Sequence, residues 1–239
     1  MENLKTKPQT NYLNLPKEKI TGAEAVVRCL IAEGVDIIYG YPGGAIMPVY
    51  DEFYKYHKEI YHVLTRHEQG ATHAAQGYAR ISGKVGVAIA TSGPGATNLI
   101  TGIADAQIDS TPMVCITGQV PSHLLGSDAF QETDIVGIST PVTKWNHQIT
   151  RAEEIPEVIA KAFYIARSGR PGPVLIDITK DAQFEAFDFT YKKCNVVRSY
   201  KPVPKLQQNQ LQAAAESVSY THLRAHETEA DLVCRLLLE

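Results

Sequence analysis

The chain has 239 residues, 44% of them hydrophobic and 21% charged, and a formal net charge of -3. These values are ordinary for a soluble globular protein of one or two domains, and they exclude the strongly basic surface that general binding to nucleic acid or to an anionic membrane requires. The longest apolar runs are too short to span a bilayer, and the polar N-terminal residues contain no signal peptide.

The four cysteines, Cys29, Cys115, Cys194 and Cys234, lie far apart and have no Cys-x-x-Cys spacing. This distribution argues against a zinc site or a disulfide framework and favours a reducing compartment. We therefore expect a cytoplasmic protein, and we assign no metal ligand in this chain.

The apolar patterns predict a flexible arm over residues 1–20, followed by helices that alternate with strands up to residue 189. The first helix, TGAEAVVRCLIAEG, has the capping-box spacing of Thr21 and Glu24 at its start. The later predicted helices are AIMPVYDEFYKY, residues 68–82, ATNLITGIADAQID, FQETDIVGIS and EIPEVIAKAFYIARSG. The predicted strands are VDIIYGY, YHVLT, VGVAIAT, PMVCITG, VTKWNHQIT and PVLIDIT.

Strands that are apolar throughout and alternate with helices are typical of an α/β fold, a doubly wound and mostly parallel sheet with helices on both faces. In such sheets, ligands bind beyond the carboxyl ends of the strands. We therefore predict one binding domain over residues 21–189, with its site among five loops: GYPGGA, TRHEQGA, TSGPGATN, TGQVPSH and TKDAQ.

The segment after residue 189 does not continue this pattern. Residues 190–217 are polar and contain two prolines, Pro202 and Pro204, which is typical of a linker towards another domain. Residues 218–239 resemble a stretch that recurs at the ends of unrelated metagenomic gene predictions. We expect them to be a non-native tail that follows a sequencing or assembly junction near Ser217.

Four familiar motifs are not present in the sequence. GPGATN lacks the third glycine of a dinucleotide fingerprint because Asn98 stands there, and no P-loop is present. The residues around Ser92 do not form a nucleophile elbow. His222 and His226 have helical spacing without the carboxylate of a metalloprotease motif, so we interpret them as solvated histidines.

The glycine loops and Glu68 together suggest a site for a flat or charged ligand. Bare backbone in GYPGGA and SGPGATN lets such a ligand approach amide groups and a helix N-terminus. A glutamate at a helix start is favoured by the helix dipole whatever its function. However, Glu68 is followed by small residues that would allow close approach of a cofactor or a second subunit: Ala71, Ala74, Ala75, Gly77 and Ala79.

Several segments, taken together, resemble the catalytic large subunit of the acetohydroxyacid synthase (acetolactate synthase) family over residues 18–190. The segments are YGYPGGAIMPVYD, the run from Thr65 to Val114, ITGQVP, GSDAFQETDIVGIS and RPGPVLIDITKD. The resemblance implies the first of three domains, which grips the aminopyrimidine ring of thiamine diphosphate. It further implies that Glu68 hydrogen-bonds N1′ of that ring and so promotes loss of the thiazolium C2 proton.

The resemblance also implies a reaction and its place in metabolism. Pyruvate would be decarboxylated and joined to a second 2-oxo acid, either pyruvate or 2-oxobutyrate. The products, 2-acetolactate and 2-aceto-2-hydroxybutyrate, would enter branched-chain amino-acid biosynthesis.

Further site residues follow from the resemblance, position by position. Arg170 matches a contact to FAD, although it would also suit a helix cap, and Lys144 would otherwise be a solvated strand residue. The positions near the cofactor are Tyr41, Pro42, Gly43, Gly44 and Ser110. The positions in the substrate channel are Pro121, Ala129, Phe130, Gln131, Lys144 and Lys180.

The family's later domains have no counterpart in this sequence. The Gly-Asp-Gly motif that holds the diphosphate through Mg²⁺ does not occur, and the central domain with most of the FAD contacts is missing. Because family members build the active site between subunits of a homodimer or a larger assembly, we expect an N-terminal fragment with half a site and no activity of its own. The anabolic type implies a small regulatory subunit as a partner.

Two alternatives stay open at this point. In the first alternative, the chain is a non-catalytic module that pairs with full-length subunits through the Ala/Gly helix surface. In the second, the chain belongs to another thiamine-dependent decarboxylase or carboligase. Glyoxylate carboligase is disfavoured because that relative lacks the glutamate that is present here as Glu68.

Overall fold

A computed structural model describes residues 18–203 and 206–219. The contacts divide the chain after Tyr200 into two units. The first unit contains every strand described below. In the second, residues 208–219 are helical, and QLQAAAE within the predicted linker supplies strong helix formers. The predicted arm up to residue 17, and the predicted tail from residue 220 onward, lie outside the described residues.

The elements of the first unit alternate as the sequence predicts. The strands are β1 Glu18–Thr21, β2 Ile37–Gly40, β3 Tyr61–Leu64, β4 Gly86–Ala90, β5 Met113–Gln119, β6 Trp145–Ile149, β7 Pro173–Thr179 and β8 Ala186–Phe189. The helices are α1 Gly22–Ala32, α2 Met47–Lys55, α3 Glu68–Ser82, α4 Pro94–Asn98, α5 Ile100–Ile108, α6 Ile135–Ser139, α7 Ile155–Arg167 and α8 Lys180–Phe184.

Six of these strands form one sheet in the order β3-β2-β4-β5-β7-β6, and every neighbouring pair is parallel. The predicted α/β fold class is therefore confirmed. After β2 the chain moves outward to β3 and then returns to β4 on the other side of β2. The connections that follow β2 and β4 therefore leave in opposite directions along the sheet, and such a switch point is where doubly wound sheets bind ligands.

The sheet buries both of its faces because alternate residues of each strand point in opposite directions. Val87 and Ile89 of β4 belong to a core cluster that includes residues of α1, α2 and α7. Ala88 and Ala90 belong to a second cluster, with residues of α3 and α5. This two-sided burial explains why the central strands are apolar throughout rather than alternating.

Strands β1 and β8 form a separate antiparallel pair in which Glu18 lies opposite Phe189. The sequence analysis assigned residues 18–20 to the flexible arm, and this assignment is wrong. The domain begins at least three residues earlier, at Glu18. The local sequence shows little sign of this, because each strand has only four residues and pairs only when the two ends of the domain meet.

Two loops near the site differ from their predicted conformations. The predicted helix FQETDIVGIS is helical only from Ile135, because the Asp134 carboxylate accepts a 2.8 Å bond from Gly137 N and caps the helix there. The residues before it turn, and Gln131 has a φ of 60°. In contrast, the predicted loop TKDAQ contains α8.

Candidate functional site

Glu68 is the first residue of α3 and is buried, with 8% of its surface exposed. The preceding residue, His67, caps the helix because its Nδ1 accepts a 3.2 Å hydrogen bond from the amide of Gln69. The carboxylate therefore lies at the positive end of the helix dipole, which favours a negative charge there. The chain begins this helix at the carboxyl edge of the sheet, just after β3.

The two oxygens of the Glu68 carboxylate have different surroundings. Oε2 accepts a 3.0 Å hydrogen bond from Nδ2 of Asn98, the last residue of α4. Oε1 accepts no hydrogen bond from any donor in the described part of the chain. It faces Gly95, where an added Cβ would lie 3.3 Å from it. One oxygen is thus anchored, and the other is available to a ligand.

Glycine residues allow two loops at the site to pack closely together. A Cβ added at Gly43 would lie 2.5 Å from Cβ of Thr91, which means that the loop after β2 lies directly on the loop after β4. The same two loops are joined by a 3.2 Å bond from the amide of Ala45 to Thr91 Oγ1. Gly44 instead faces open space. Tyr41 and Pro42 precede these glycines in the same loop at the carboxyl end of β2.

Tyr50 on α2 is an additional site residue that the sequence analysis missed. Its hydroxyl is buried and has no hydrogen-bond partner within the described residues. Desolvation, followed by the charge of Glu68, raises the pKa of Tyr50 well above its ordinary value. The ring packs edge-on against His62, with centroids 5.0 Å apart. The aromatic pattern of α2 indicated a helix but did not single out this phenol.

The loop after β5 contains four of the predicted channel residues at the same edge of the sheet: Pro121, Ala129, Phe130 and Gln131. A Cβ added at Gly93 would lie 2.7 Å from the carbonyl oxygen of Gln131, so this loop packs on the glycine turn after β4. Phe130 is 87% exposed. Lys180 begins α8 after β7, and it completes the set of predicted residues at the carboxyl edge.

Ser110, Lys144 and Arg170 lie at the opposite edge of the sheet, because each precedes the amino end of a strand. Arg170 Nε donates a 2.7 Å bond to Ser110 Oγ, and its Nη2 donates to the carbonyls of Gln107 and Ile108. This arrangement caps the C-terminus of α5. The structure therefore does not bring Ser110 to Glu68, and it places Arg170, for which the resemblance implies a contact to FAD, beside Ser110.

Lys144 caps a second helix at this amino edge. Its Nζ donates to the carbonyl of Ile165, to the carbonyl of Ser168 at 2.8 Å and to the hydroxyl of Tyr200 at 3.2 Å. Lysine is favourable at this position because carbonyls at a helix C-terminus carry partial negative charge. Lys144 therefore lies away from the other predicted channel residues.

Asp177 is a second residue that the sequence analysis missed, and it is completely buried on β7. Its carboxylate accepts bonds from Thr117 at 2.7 Å, Gln119 at 3.1 Å and Gln148 at 2.9 Å. Desolvation nevertheless raises the pKa of Asp177 to about 6. An aspartate within the apolar run PVLIDIT was the signal available in the sequence.

The described residues contain no group of three or more His, Cys, Asp or Glu side chains placed to hold a metal ion. In the same part of the chain, no helix has the length and apolar character needed to cross a bilayer.

Comparison with known proteins identifies the domain. Residues 20–138 match the family model described as thiamine pyrophosphate enzyme, N-terminal TPP binding domain. The chain is 55% identical over 201 residues to the acetolactate synthase large subunit of Corynebacterium glutamicum, a match covering 84% of the chain and 32% of that relative. It is 50% identical over 222 residues to the acetolactate synthase of Mycobacterium leprae, covering 89% and 35%.

An archaeal relative shows the same similarity. The chain is 59% identical over 162 residues to the probable acetolactate synthase large subunit of Methanocaldococcus jannaschii, which covers 68% of the chain and 27% of that relative. The chain thus belongs to the thiamine pyrophosphate enzymes and carries their N-terminal TPP-binding domain. Within this class, it is a homologue of acetolactate synthase large subunits. It spans about a third of the length of the curated relatives that it matches.

Proposed function

We propose that this domain binds the aminopyrimidine ring of thiamine diphosphate, with Glu68 on the ring nitrogen N1′, as the pyrimidine-binding part of an acetolactate synthase large subunit. The observation that carries the proposal is the asymmetry of the Glu68 carboxylate. Asn98 anchors Oε2 at 3.0 Å, whereas Oε1 is without a donor in the described part of the chain and faces the small residue Gly95.

The residues around Glu68 suit an aromatic heterocycle. The loop from Tyr41 to Gly44 presents backbone on one side, and the turn from Gly93 to Gly95 presents backbone on the other, so a flat ring meets little side-chain bulk. A carboxylate held at a helix N-terminus in a buried place is a strong partner for a ring N–H. The donor set therefore fits the pyrimidine.

Thiamine diphosphate, when bound, supplies an electron sink for the decarboxylation of a 2-oxo acid. The chain's own contribution is orientation and proton handling. Glu68 Oε1 would share a proton with ring atom N1′, and Asn98 would keep the carboxylate from rotating away. The buried hydroxyl of Tyr50, which is within electrostatic reach of Glu68, would limit access of water on the α2 side.

The substrates and the product follow from the same proposal. Pyruvate would be decarboxylated and joined to pyruvate or 2-oxobutyrate, giving 2-acetolactate or 2-aceto-2-hydroxybutyrate. The carboligation is tested by analysing the compounds formed from pyruvate alone and then from pyruvate with 2-oxobutyrate. The protein used is the longest polypeptide that the gene encodes. Formation of a different product would place the protein in another branch of thiamine-dependent enzymes. The residues proposed for the substrate channel at the carboxyl edge are Pro121, Ala129, Phe130, Gln131 and Lys180.

The remaining partners are also part of the proposal. Mg²⁺ would bind the diphosphate through residues other than those described. FAD would reach Arg170 at the amino edge, where Nη1 has no partner among the described residues, with Ser110 and Lys144 nearby. Catalytic subunits would form a homodimer or a larger assembly with a small regulatory subunit. We place the protein in the cytoplasm because Cys29 and Cys115 are free, buried thiols.

The test is a titration of the 239-residue chain with thiamine diphosphate at millimolar concentrations, followed by amide NMR. We expect the amide signals of Gln69, Gly43 and Gly95 to shift together. Glu68→Ala should weaken this binding at least about tenfold, because a charge-assisted hydrogen bond is lost.

Glu157→Ala is the matched control, because Glu157 also lies in the first turn of a helix, α7, but on the other face of the sheet. It should leave the affinity for thiamine diphosphate unchanged. The proposal fails if both variants bind alike, or if the shifted amides lie away from the glycine loops.

A further inference from the structure

The connection from β5 to α6, residues 120–134, which we call the β5–α6 loop, has one buried apolar side chain, Val120 at its start, and none in its middle. Phe130 is 87% exposed and Leu124 is 37% exposed. Two residues, Asp128 and Gln131, have positive φ angles of 56° and 60°. Such a backbone persists only where the surrounding structure determines it. Polar contacts must therefore hold this loop in place.

The start of the loop is tied to α8 through Asp181. The amide of Ser122 donates a 3.0 Å bond to Asp181 Oδ1, and the hydroxyl of Ser122 donates a 2.5 Å bond to Oδ2. Burial opposes ionisation of Asp181, but the bonds from Ser122 and neighbouring groups lower its pKa overall. One carboxylate thus holds both polar groups of a single loop residue.

The end of the loop is tied to β7 through Asp177. Gln119 donates from Nε2 to Asp177 at 3.1 Å and to the carbonyl of Thr133 at 2.9 Å. The Oε1 atom of Gln119 accepts a 2.9 Å bond from the amide of Val120. Asp177 thereby orients one glutamine that bonds both ends of the loop.

The middle of the loop is organised by its own Glu132. This carboxylate accepts bonds from the amide of Gly126 and, at 2.9 Å, from the amide of Ala129. These backbone bonds lower the pKa of Glu132. The middle is therefore self-supporting, and its position relative to the glycine turn at Gly93 depends on the two ends.

We propose that Asp177 and Asp181 are positioning residues, which together hold the β5–α6 loop against Gly93 before any ligand arrives. Their consequence for catalysis rests on the proposed function, because Ala129, Phe130 and Gln131 line a substrate channel only in that case. Each carboxylate acts through a second residue, Asp181 through Ser122 and Asp177 through Gln119.

The surroundings of Asp177 make this arrangement sensitive to pH. Strands β5 and β6 present only uncharged donors to it: Thr117, Gln119 and Gln148. Among charged groups, Asp134 at the start of α6 has an electrostatic effect on it and raises its pKa. Protonation would occupy the fourth lone-pair position of the carboxylate and remove its negative charge, so the bonds from all three donors would become weaker.

The experiment measures amide hydrogen exchange by NMR on the 239-residue chain without cofactor. In Asp181→Asn, we expect the Ser122 amide to exchange about tenfold faster, the factor that one lost hydrogen bond represents. In Asp177→Asn, we expect the same for Val120. Asp128→Asn is the matched control within the loop, because the Asp128 side chain makes no hydrogen bond to the described residues and asparagine tolerates a positive φ.

Exchange at the amide of Ile116 in β5 distinguishes local loosening of the β5–α6 loop from general loosening of the domain. A purely structural role in the sheet would increase exchange at Ile116 together with the loop, whereas a positioning role leaves Ile116 protected. Asp181→Glu should restore part of the protection of Ser122. The proposal is overturned if Ser122 and Val120 exchange in the Asp177 and Asp181 variants as they do in Asp128→Asn.

A pH series on the unsubstituted chain keeps the test valid should Asp177→Asn fail to fold. The protection factor of Val120, corrected for intrinsic exchange, should decrease as the pH falls from 7 to 5, and protection that stays constant over this range would contradict the role of Asp177. Because no thiamine diphosphate is present, these outcomes do not depend on whether the domain binds it.

Discussion

Asn98 and Glu68 lie 30 residues apart in the chain and share a 3.0 Å hydrogen bond at the carboxyl edge of the sheet. This bond joins the end of α4 to the start of α3, and it orients a buried carboxylate that faces Gly95. The asparagine stands where a dinucleotide-binding fingerprint would have its third glycine. Asn98, which argues against a dinucleotide site, is thus the hydrogen-bond partner of Glu68, which is proposed to bind thiamine diphosphate.

Replacing Asn98 by leucine should reduce both stability and binding. The side chain keeps its approximate size but loses the donor, so the free energy of unfolding should fall by about 1.5–3 kcal/mol, as for other bonds to charged groups. The affinity for thiamine diphosphate should also fall. Urea unfolding and the NMR titration measure these two effects.

The control for this substitution is Thr97→Val on the same helix. The hydroxyl of Thr97 donates only to the carbonyl of Pro94, at 3.2 Å, so its loss should change stability by less than about 1 kcal/mol. Equal effects of the two substitutions would show that the Asn98–Glu68 bond has no particular importance.

The adjacent glycines Gly43 and Gly44 should respond in opposite ways to alanine. The new Cβ at Gly43 would lie 2.5 Å from Cβ of Thr91, whereas at Gly44 nothing lies within 4 Å. Gly43→Ala should therefore destabilise the protein by about 1–3 kcal/mol through overpacking, and Gly44→Ala should be close to neutral. Thermal unfolding of the pair checks this, and similar melting temperatures would contradict the close contact of the two loops.

Asp177 should make stability depend on pH. Burial raises its pKa from 3.8 to about 6 in the folded state. Because the folded protein holds this proton more tightly than the unfolded chain, the free energy of unfolding should fall as the pH rises through about 4 to 6, by up to about 3 kcal/mol. The loss persists at pH 7.

Urea unfolding at pH 4.5 and pH 7 measures this effect as a difference between variants. Asp177→Asn should remove this part of the pH dependence, and Asp188→Asn, an exposed change on β8, should keep it. If the parent and Asp177→Asn show the same pH dependence, the buried carboxylate does not titrate in this range.

Arg170→Ala should affect stability without affecting the proposed binding site at Glu68. The substitution removes three hydrogen bonds at the C-terminus of α5, and exposure of the guanidinium limits the expected cost to about 1 kcal/mol. Arg170→Lys should recover little of it, because an ammonium does not reproduce the fork of donors. The NMR titration should give the same affinity for thiamine diphosphate as the unsubstituted chain, and a weaker affinity would mean that the two edges of the sheet communicate.

Much of the fold could be predicted from short-range patterns. The bounds of α3, Glu68–Ser82, and of β7, Pro173–Thr179, agree with the predicted ones. The signals for both elements lie within a few residues of their ends. The helix has a cap at its start and Gly83 at its end, and the strand lies between Gly172 and a polar helix start. The pair β1 and β8 was missed because EKIT and AFDF mix apolar and charged residues and pair only when the two ends of the domain meet.

The sequence by itself determined the class of fold, the glycine loops and the presence of a carboxylate at a helix start, because periodicity, caps and turn residues act over one or two turns of chain. Only the tertiary structure decided which of these residues meet. Strand order brings Asn98 to Glu68 and Asp177 to Gln119, and it sends Lys144 and Arg170 to the opposite edge. Such contacts depend on the register of strands far apart in sequence, which no local pattern specifies.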